Sequence, residues 1–254
     1  MTDLHCHLLP GMDDGAKDEQ AAVDLICTSY KQGVRRIALT SHFLPDEMAL
    51  DEFLSRRQAA YSRLLKALRQ TEIPIGEIAF RLGAEVLYSP MLVELPSNLL
   101  CLEGTNLMLL EFREGEVPFG VEETVFRLQL RGIVPLLAHV ERYRFVLEDP
   151  RWLYRWVSGG GYAQINASTI LAGGRRSRLP EDLIRWNLVH VLASDAHSLH
   201  YRPQNLAEGL RAVCKRLGTQ TAERLEENAV CLFSGGLPET GVIHMPQKGW
   251  MRWK

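Results

Sequence analysis

No uncharged apolar run in this 254-residue sequence approaches the ~20 residues that a membrane-crossing helix needs. Polar residues and candidate ligands begin at Thr2, which leaves no signal-peptide pattern, so a cytoplasmic location without stable membrane insertion is expected. Excess charge of one sign is lacking too: 29 Lys and Arg stand against 31 Asp and Glu, a formal net charge of -2. That balance offers no electrostatic footprint for nucleic acid or anionic lipid. Cysteine is sparse: five residues, odd in number and widely scattered, exclude a disulfide framework and a Cys-type zinc site. Linkers are missing as well, since no Ser/Gly-rich stretch, charge block or repeat interrupts residues 1–237. Those residues read as one domain with a large core, the hydrophobic content being 46%, and 238–254 read as a C-terminal tail.

What is present is an alternation of apolar and amphipathic segments, the pattern of repeated βα units around a parallel sheet. Strands are expected at 2–5, 36–39, 79–85, 107–112, 134–138, 162–166 and 189–193. Helices are expected at 18–32, 46–70, 121–131, 152–157, 180–186, 203–217 and 219–227. A closed α/β barrel is the economical architecture, and its active site belongs at the C-terminal ends of the strands.

The candidate ligands fall at those ends. Asp3-Leu4-His5-Cys6-His7 opens the chain, and two imidazoles at i and i+2 of a strand share one face. Downstream stand His42, Glu85, Glu111, His139 in Ala138-His139-Val140-Glu141-Arg142, and Asp195 and His197 in Ser194-Asp195-Ala196-His197. A lone buried His is ordinarily a hydrogen-bonded core residue, and a lone Asp after a strand a helix cap. Seven or eight such residues at one end of a barrel are different, because burying them together without a cation costs many kcal/mol in desolvation and repulsion. The set is all nitrogen and oxygen, which suits Mn, Fe, Zn or Mg.

These residues carry a resemblance. The sequence resembles the PHP (polymerase and histidinol phosphatase) superfamily and, within it, the manganese-dependent bacterial tyrosine phosphatases of capsule and exopolysaccharide operons, the CpsB/YwqE type. The likeness runs from His5-Cys6-His7-Leu8-Leu9-Pro10-Gly11-Met12-Asp13-Asp14-Gly15 through Thr40-Ser41-His42, Gly83-Ala84-Glu85 and Leu110-Glu111-Phe112 to Ser194-Asp195-Ala196-His197. The Asp-Asp-Gly and His-x-Glu-Arg-Tyr segments together point to this subgroup. The resemblance implies a distorted (β/α)7 barrel (PHP fold) holding three divalent metal ions, manganese foremost. His5, His7, Glu85 and Asp195 would hold the first, Glu85, Glu111 and His139 the second, and Asp14, His42 and His197 the third, with Asp13 as the rival of Asp14. Arg142 and Arg202 would hold the substrate phosphate, a task their planar forks suit.

The implied reaction is hydrolysis of phosphotyrosine on a protein, in the family a membrane-associated tyrosine kinase governing polysaccharide export, by in-line attack of a metal-held hydroxide. A phenol with pKa about 10 leaves without a strong general acid. Cysteine-based phosphatase chemistry is excluded, because the residue six places after Cys6, Cys27, Cys101, Cys214 and Cys231 is Met12, Gly33, Leu107, Gln220 and Leu237, never the required Arg. Cys6 then reads as a small strand residue facing away from the metals. Alternatives are a phosphatase for a small alkyl ester such as histidinol phosphate, and a metal-holding regulatory module. Gly173-Gly174-Arg175-Arg176-Ser177-Arg178 reads as a solvated basic loop, and the Trp-bearing end of the tail as docked on the barrel or disordered. Higher oligomers occur in the family, but no uninterrupted heptad seam argues for one here.

Overall fold

The computed structural model describes residues 1–115, 117–239 and 241–246. Among the described residues, nine strands lie in two parallel sheets. Strands β1 (Thr2–Cys6), β2 (Arg36–Leu39) and β4 (Ala79–Leu82) form the first, in the order β1-β2-β4. Strands β3 (His42–Phe43), β5 (Glu85–Leu87), β6 (Leu107–Glu111), β7 (Val134–Leu137), β8 (Tyr162–Asn166) and β9 (Val191–Ala193) form the second, in that order. Two residues separate β2 from β3 and β4 from β5, so each pair is one chain path that breaks as it passes from one sheet to the other. The seven expected strand segments are thus present, 79–85 broken between β4 and β5, and the short β3 is an addition beyond the expected 36–39. Backbone bonds bridge the gaps: Gly83 N–H donates to Leu39 O and Glu85 N–H to Ser41 O, both at 3.0 Å. Beyond β9, Asp195 N–H donates to His5 O and His7 N–H to Ala196 O, both at 2.9 Å, next to a parallel Cys6–Ala196 bridge. The strand ladders themselves make two sheets rather than one closed ring.

Helices follow the strands. Helix α1 (Glu19–Lys31) starts where the Asp18 carboxylate caps Ala21 N–H at 2.9 Å, and it buries Ala22, Val23, Leu25, Ile26 and Ser29. Helix α2 (Leu50–Leu68) turns Leu50, Phe53, Ala60, Leu64 and Leu68 inward, the spacing of one helical face. The remainder are α3 (Val121–Leu130), α4 (Arg144–Glu148), α5 (Arg151–Ser158), α6 (Ala167–Ala172), α7 (Gly174–Arg185), α8 (Leu206–Leu217) and α9 (Thr219–Phe233). The supposed basic loop is a correction: from Gly174 it is the first turn and a half of α7, with Pro180 inside the helix. A helix start at 180 would put the proline where its missing N–H costs nothing, but the helix begins at Gly174. The Trp-bearing end of the tail, residues 247–254, lies outside the described residues.

Burial on both faces gives the strands two jobs. Alternate side chains Met108, Leu110 and Phe112, or Ala163 and Ile165, pack outward beneath the helices. Their neighbours Leu107 and Leu109, Tyr162, and Val191 join Leu4, Ala38 and Leu136 in an inner cluster against Leu232 and Phe233 of α9. The same inner faces continue to Glu111 on β6, Gln164 and Asn166 on β8, and Asp195 just past β9. An apolar floor therefore lies below a polar upper layer. The β1–β2 register shifts between Asp3 and Cys6, which lets Leu4 join the floor while His5 and His7 still face the polar layer. Cys6 points the other way, its thiol donating to Ala38 O at 3.1 Å.

Candidate metal centre

All nine expected ligands meet in this layer. His5 Nε2 lies 3.1 Å from His7 Nε2, each lies 3.1 Å from Glu85 Oε2, and they stand 3.4 and 3.7 Å from Asp195 Oδ1. His139 Nε2 is 2.8 Å from Glu85 Oε1 and 3.4 Å from Glu111 Oε1. His42 faces Glu85 Oε2 at 3.2 Å and Glu111 Oε2 at 3.6 Å through Nδ1, and Asp14 Oδ1 at 3.5 Å through Nε2. His197 Nε2 completes that corner at 3.3 Å from Asp14 Oδ1. Three groups offer ligand atoms within one ion's reach: His7, Asp14, His42 and His197; His5, His7 and Asp195; and His42, Glu85 and Glu111. His7 and His42 each serve two of these groups, and His139 belongs to none, although it touches both Glu85 and Glu111.

The adjacent aspartates take different partners. Asp13 spends its oxygens on holding the site together: Oδ2 accepts from His7 Nδ1 at 2.8 Å and His42 N–H at 3.0 Å, and Oδ1 from Gly15 N–H at 3.0 Å. Asp14 faces the imidazoles of His42 and His197. Gly15 closes this turn because its backbone passes over His7. A Cβ there would lie 2.2 Å from His7 O, so no larger residue fits.

The donor set fits divalent cations. A histidine facing a carboxylate or carbonyl through one nitrogen carries its proton there and turns a lone pair the other way. His7 Nδ1 faces Asp13, His5 Nδ1 faces Gln164 Oε1 at 3.2 Å, and His197 Nδ1 donates to Asp195 O at 2.8 Å. Their Nε2 atoms consequently converge on one another and on carboxylate oxygens, where either a second proton or a cation must sit. His197 Nε2 and His139 Nδ1 are buried with no hydrogen-bond partner among the described residues. Burial alone would raise the Glu85 carboxyl, yet the charge of His5 and hydrogen bonds from His139, His5 and His7 hold it well below the usual range. For His7, burial pulls the other way, but hydrogen bonds with Asp13 and Glu85 raise its pKa to about 10. The pocket thus demands positive charge, which a proton or a metal ion can supply.

Backbone strain marks the same place. His139 (φ 30°) and Asp195 (φ 52°) are two of three non-glycine residues with positive φ among the described residues, a conformation costing about 1–3 kcal/mol each. Arg142 and Arg202 reach over the layer. One donates to Asp195 Oδ2 and the other to Asp14 Oδ2, each at 2.5 Å, and their side chains stay 30% and 37% exposed. In sequence Asp13 stood only as the rival of Asp14, and the supporting residues Gln164 and Asn166 were missed. The last two stand at i and i+2 of β8, the same inward-facing signal that exposed His5 and His7.

Residues 1–234 match the family model for capsular polysaccharide synthesis, CpsB/CapC. The chain is 34% identical over 237 residues to the tyrosine-protein phosphatase YwqE of Bacillus subtilis, covering 92% of this chain and 91% of that protein. It is 30% identical over 234 residues to the tyrosine-protein phosphatase CpsB of Streptococcus agalactiae, covering 89% and 94%. A solved structure from work on YwqE of Bacillus subtilis and CpsB of Streptococcus pneumoniae, described as unique metal-dependent tyrosine phosphatases, superposes with a TM-score of 0.86 at 28% identity. That alignment covers 98% of this chain and all of the other. No helix among the described residues is long and apolar enough to cross a membrane. Sequence match, coverage and superposition agree: this chain belongs to the CpsB/CapC family of capsular polysaccharide synthesis.

Proposed function

We propose that this protein is a metal-dependent phosphatase that hydrolyses phosphotyrosine on proteins. The observation that carries the reading is the convergence of imidazole nitrogens and carboxylate oxygens beneath two half-exposed arginines, in a chain whose near-full-length relatives are named tyrosine phosphatases. His5, His7, Glu85 and Asp195 would hold one ion, Glu85, Glu111 and His139 a second, and Asp14, His42 and His197 a third, the donor set suiting Mn, Fe, Zn or Mg and the family resemblance implying manganese. When bound, such ions polarise phosphoryl oxygens and make water acidic enough to serve as a nucleophile near neutral pH.

The chain's own residues do the rest. Asp13 and the Asp195 carbonyl fix which nitrogens of His7 and His197 carry protons, keeping the ligand face bare. Arg142 and Arg202, tethered to Asp195 and Asp14, exchange carboxylate for phosphoryl oxygens and absorb charge on the equatorial oxygens as the ester bond stretches. A tyrosine leaving group, with pKa about 10, needs no strong acid from the protein. The bridge between His5–His7 and Asp195–Ala196 supports a distorted seven-unit barrel, with 1–237 as the catalytic domain and 238–254 as a tail. The substrate is a cytoplasmic segment of a membrane-associated tyrosine kinase that governs polysaccharide export.

The test compares a phosphotyrosine peptide with histidinol phosphate as substrates of Mn²⁺-loaded protein and of its Arg142→Ala variant. Preference for the peptide, crippled in the variant, is expected. Preference for histidinol phosphate would overturn the substrate while keeping the metal chemistry.

A further inference from the structure

We infer that Gln164 and Asn166 of β8 are positioning residues: a one-way hydrogen-bond relay from β8 sets the tautomer of His5 and anchors Asp195, and thereby sets the affinity for the ion these two help to hold. The inference rests on the metal reading of the cluster and names two residues that touch no substrate.

The direction of the relay follows by elimination from one fixed donor. The backbone N–H of His139 can only donate, and it meets the Gln164 side chain at 2.8 Å, so that atom is the amide oxygen, Oε1. The same oxygen faces His5 Nδ1 at 3.2 Å, so Nδ1 carries a proton and Nε2 is the atom that His5 turns toward His7, Glu85 and Asp195, free to take an ion. The other end of the amide, Nε2, must donate, and it lies 2.7 Å from Asn166. That fixes Asn166 Oδ1 as acceptor and leaves Nδ2 to donate to Asp195 Oδ2 at 2.7 Å. Asn166 is itself pinned, its backbone N–H donating to Glu141 Oε1 at 2.9 Å. Neither amide can flip without setting donor against donor or oxygen against oxygen. Gln164 is 0% and Asn166 2% exposed, so no water offers a substitute.

Reversing the relay would move the His5 proton to Nε2, into the ligand face, and turn an oxygen toward the Asp195 carboxylate. Partners of this kind typically govern metal affinity by 10- to 100-fold. His7 is an internal control, because Asp13 rather than the relay fixes its proton.

The test uses the full chain and two variants, Gln164→Met, which keeps size but removes both polar ends, and Asn166→Ala, which frees Asp195. Mn²⁺ alone is titrated by calorimetry into metal-stripped protein, and the histidine tautomers are read by ¹⁵N NMR of the metal-free state. Gln164→Met is expected to bind Mn²⁺ about 10- to 100-fold more weakly. It should also leave Nδ1 of His5 only partly protonated, while Nδ1 of His7 keeps its proton. Asn166→Ala is expected to weaken binding with the His5 tautomer retained, and it decides the matter if Gln164→Met does not fold. A merely structural role would lower the melting temperature and move neither readout. Wild-type affinity in both variants, or a wild-type His5 that lacks a proton on Nδ1, would overturn the relay. If the wild type binds no Mn²⁺, the metal reading fails, while the tautomer still decides the relay.

Discussion

His190 makes the acid stability of the fold calculable. It lies just before β9, 1% exposed, with its ring edge-on to Tyr162 at 4.9 Å. Its Nδ1 accepts from Ala163 N–H at 3.2 Å, so the ring is held neutral, and a second proton would set donor against donor. Burial first, then the charge of Arg224, lowers its pKa from 6.5 to about 3. The unfolded chain takes up this proton near pH 6.5 and the folded chain only near pH 3, so unfolding binds a proton between those values. Stability from this group is complete above pH 7 and falls as the pH falls. The loss is about 2 kcal/mol between pH 7.5 and 5, and about 4–5 kcal/mol by pH 3. Urea midpoints of metal-free protein at pH 7.5 and 5 measure it. His190→Asn keeps an acceptor for Ala163 N–H and cannot titrate, so subtracting its pH dependence cancels the metal-site histidines common to both proteins. A difference of about 2 kcal/mol is expected. Equal pH dependence in the two proteins would refute the neutral, buried assignment.

Other perturbations follow from the same geometry. Gly15→Ala would place a Cβ 2.2 Å from His7 O, so it should cost about 1–3 kcal/mol in urea unfolding and weaken Mn²⁺ binding in calorimetry, because the turn carrying Asp13 and Asp14 must shift. Asp13→Asn removes the carboxylate shared by His7, His42 and Gly15, and about a 10- to 100-fold loss of metal affinity is expected. Arg142→Ala should reduce kcat on a phosphotyrosine peptide by about 10²–10³, with Mn²⁺ affinity changed far less. Leu64→Ala on α2 opens a hole in the fully buried core and should cost about 2–5 kcal/mol in chemical denaturation, leaving kcat untouched.

Much of this was legible in the chain because parallel strands buried on both faces read as short apolar runs, and chemistry sits where such runs stop. His5, His7, Glu111 and Asp195 were visible for that reason. The breaks within the second and third strand paths were not, since periodicity cannot show where a ladder passes from one neighbour to another. The first half of helix α7 hid behind Gly173-Gly174 and Pro180, residues that ordinarily end or begin helices, and tertiary packing of Leu179, Leu183 and Ile184 overrode them. Gln164 and Asn166 escaped notice because uncharged amides look like ordinary strand residues until a fixed donor shows which way they point. Asp13 and Asp14 are indistinguishable in sequence, and only the Asp13 bonds to His7, His42 and Gly15 separate them.

The most direct test of the central claim is phosphate release from a phosphotyrosine peptide by chelator-treated protein as Mn²⁺ is restored. Activity that vanishes on chelation, returns with Mn²⁺, and does not return in Glu85→Gln, whose carboxylate touches His5, His7, His42 and His139, is the predicted result. Full hydrolysis by the metal-free protein, or full restoration of Glu85→Gln at the Mn²⁺ concentration that just saturates the wild type, would contradict it.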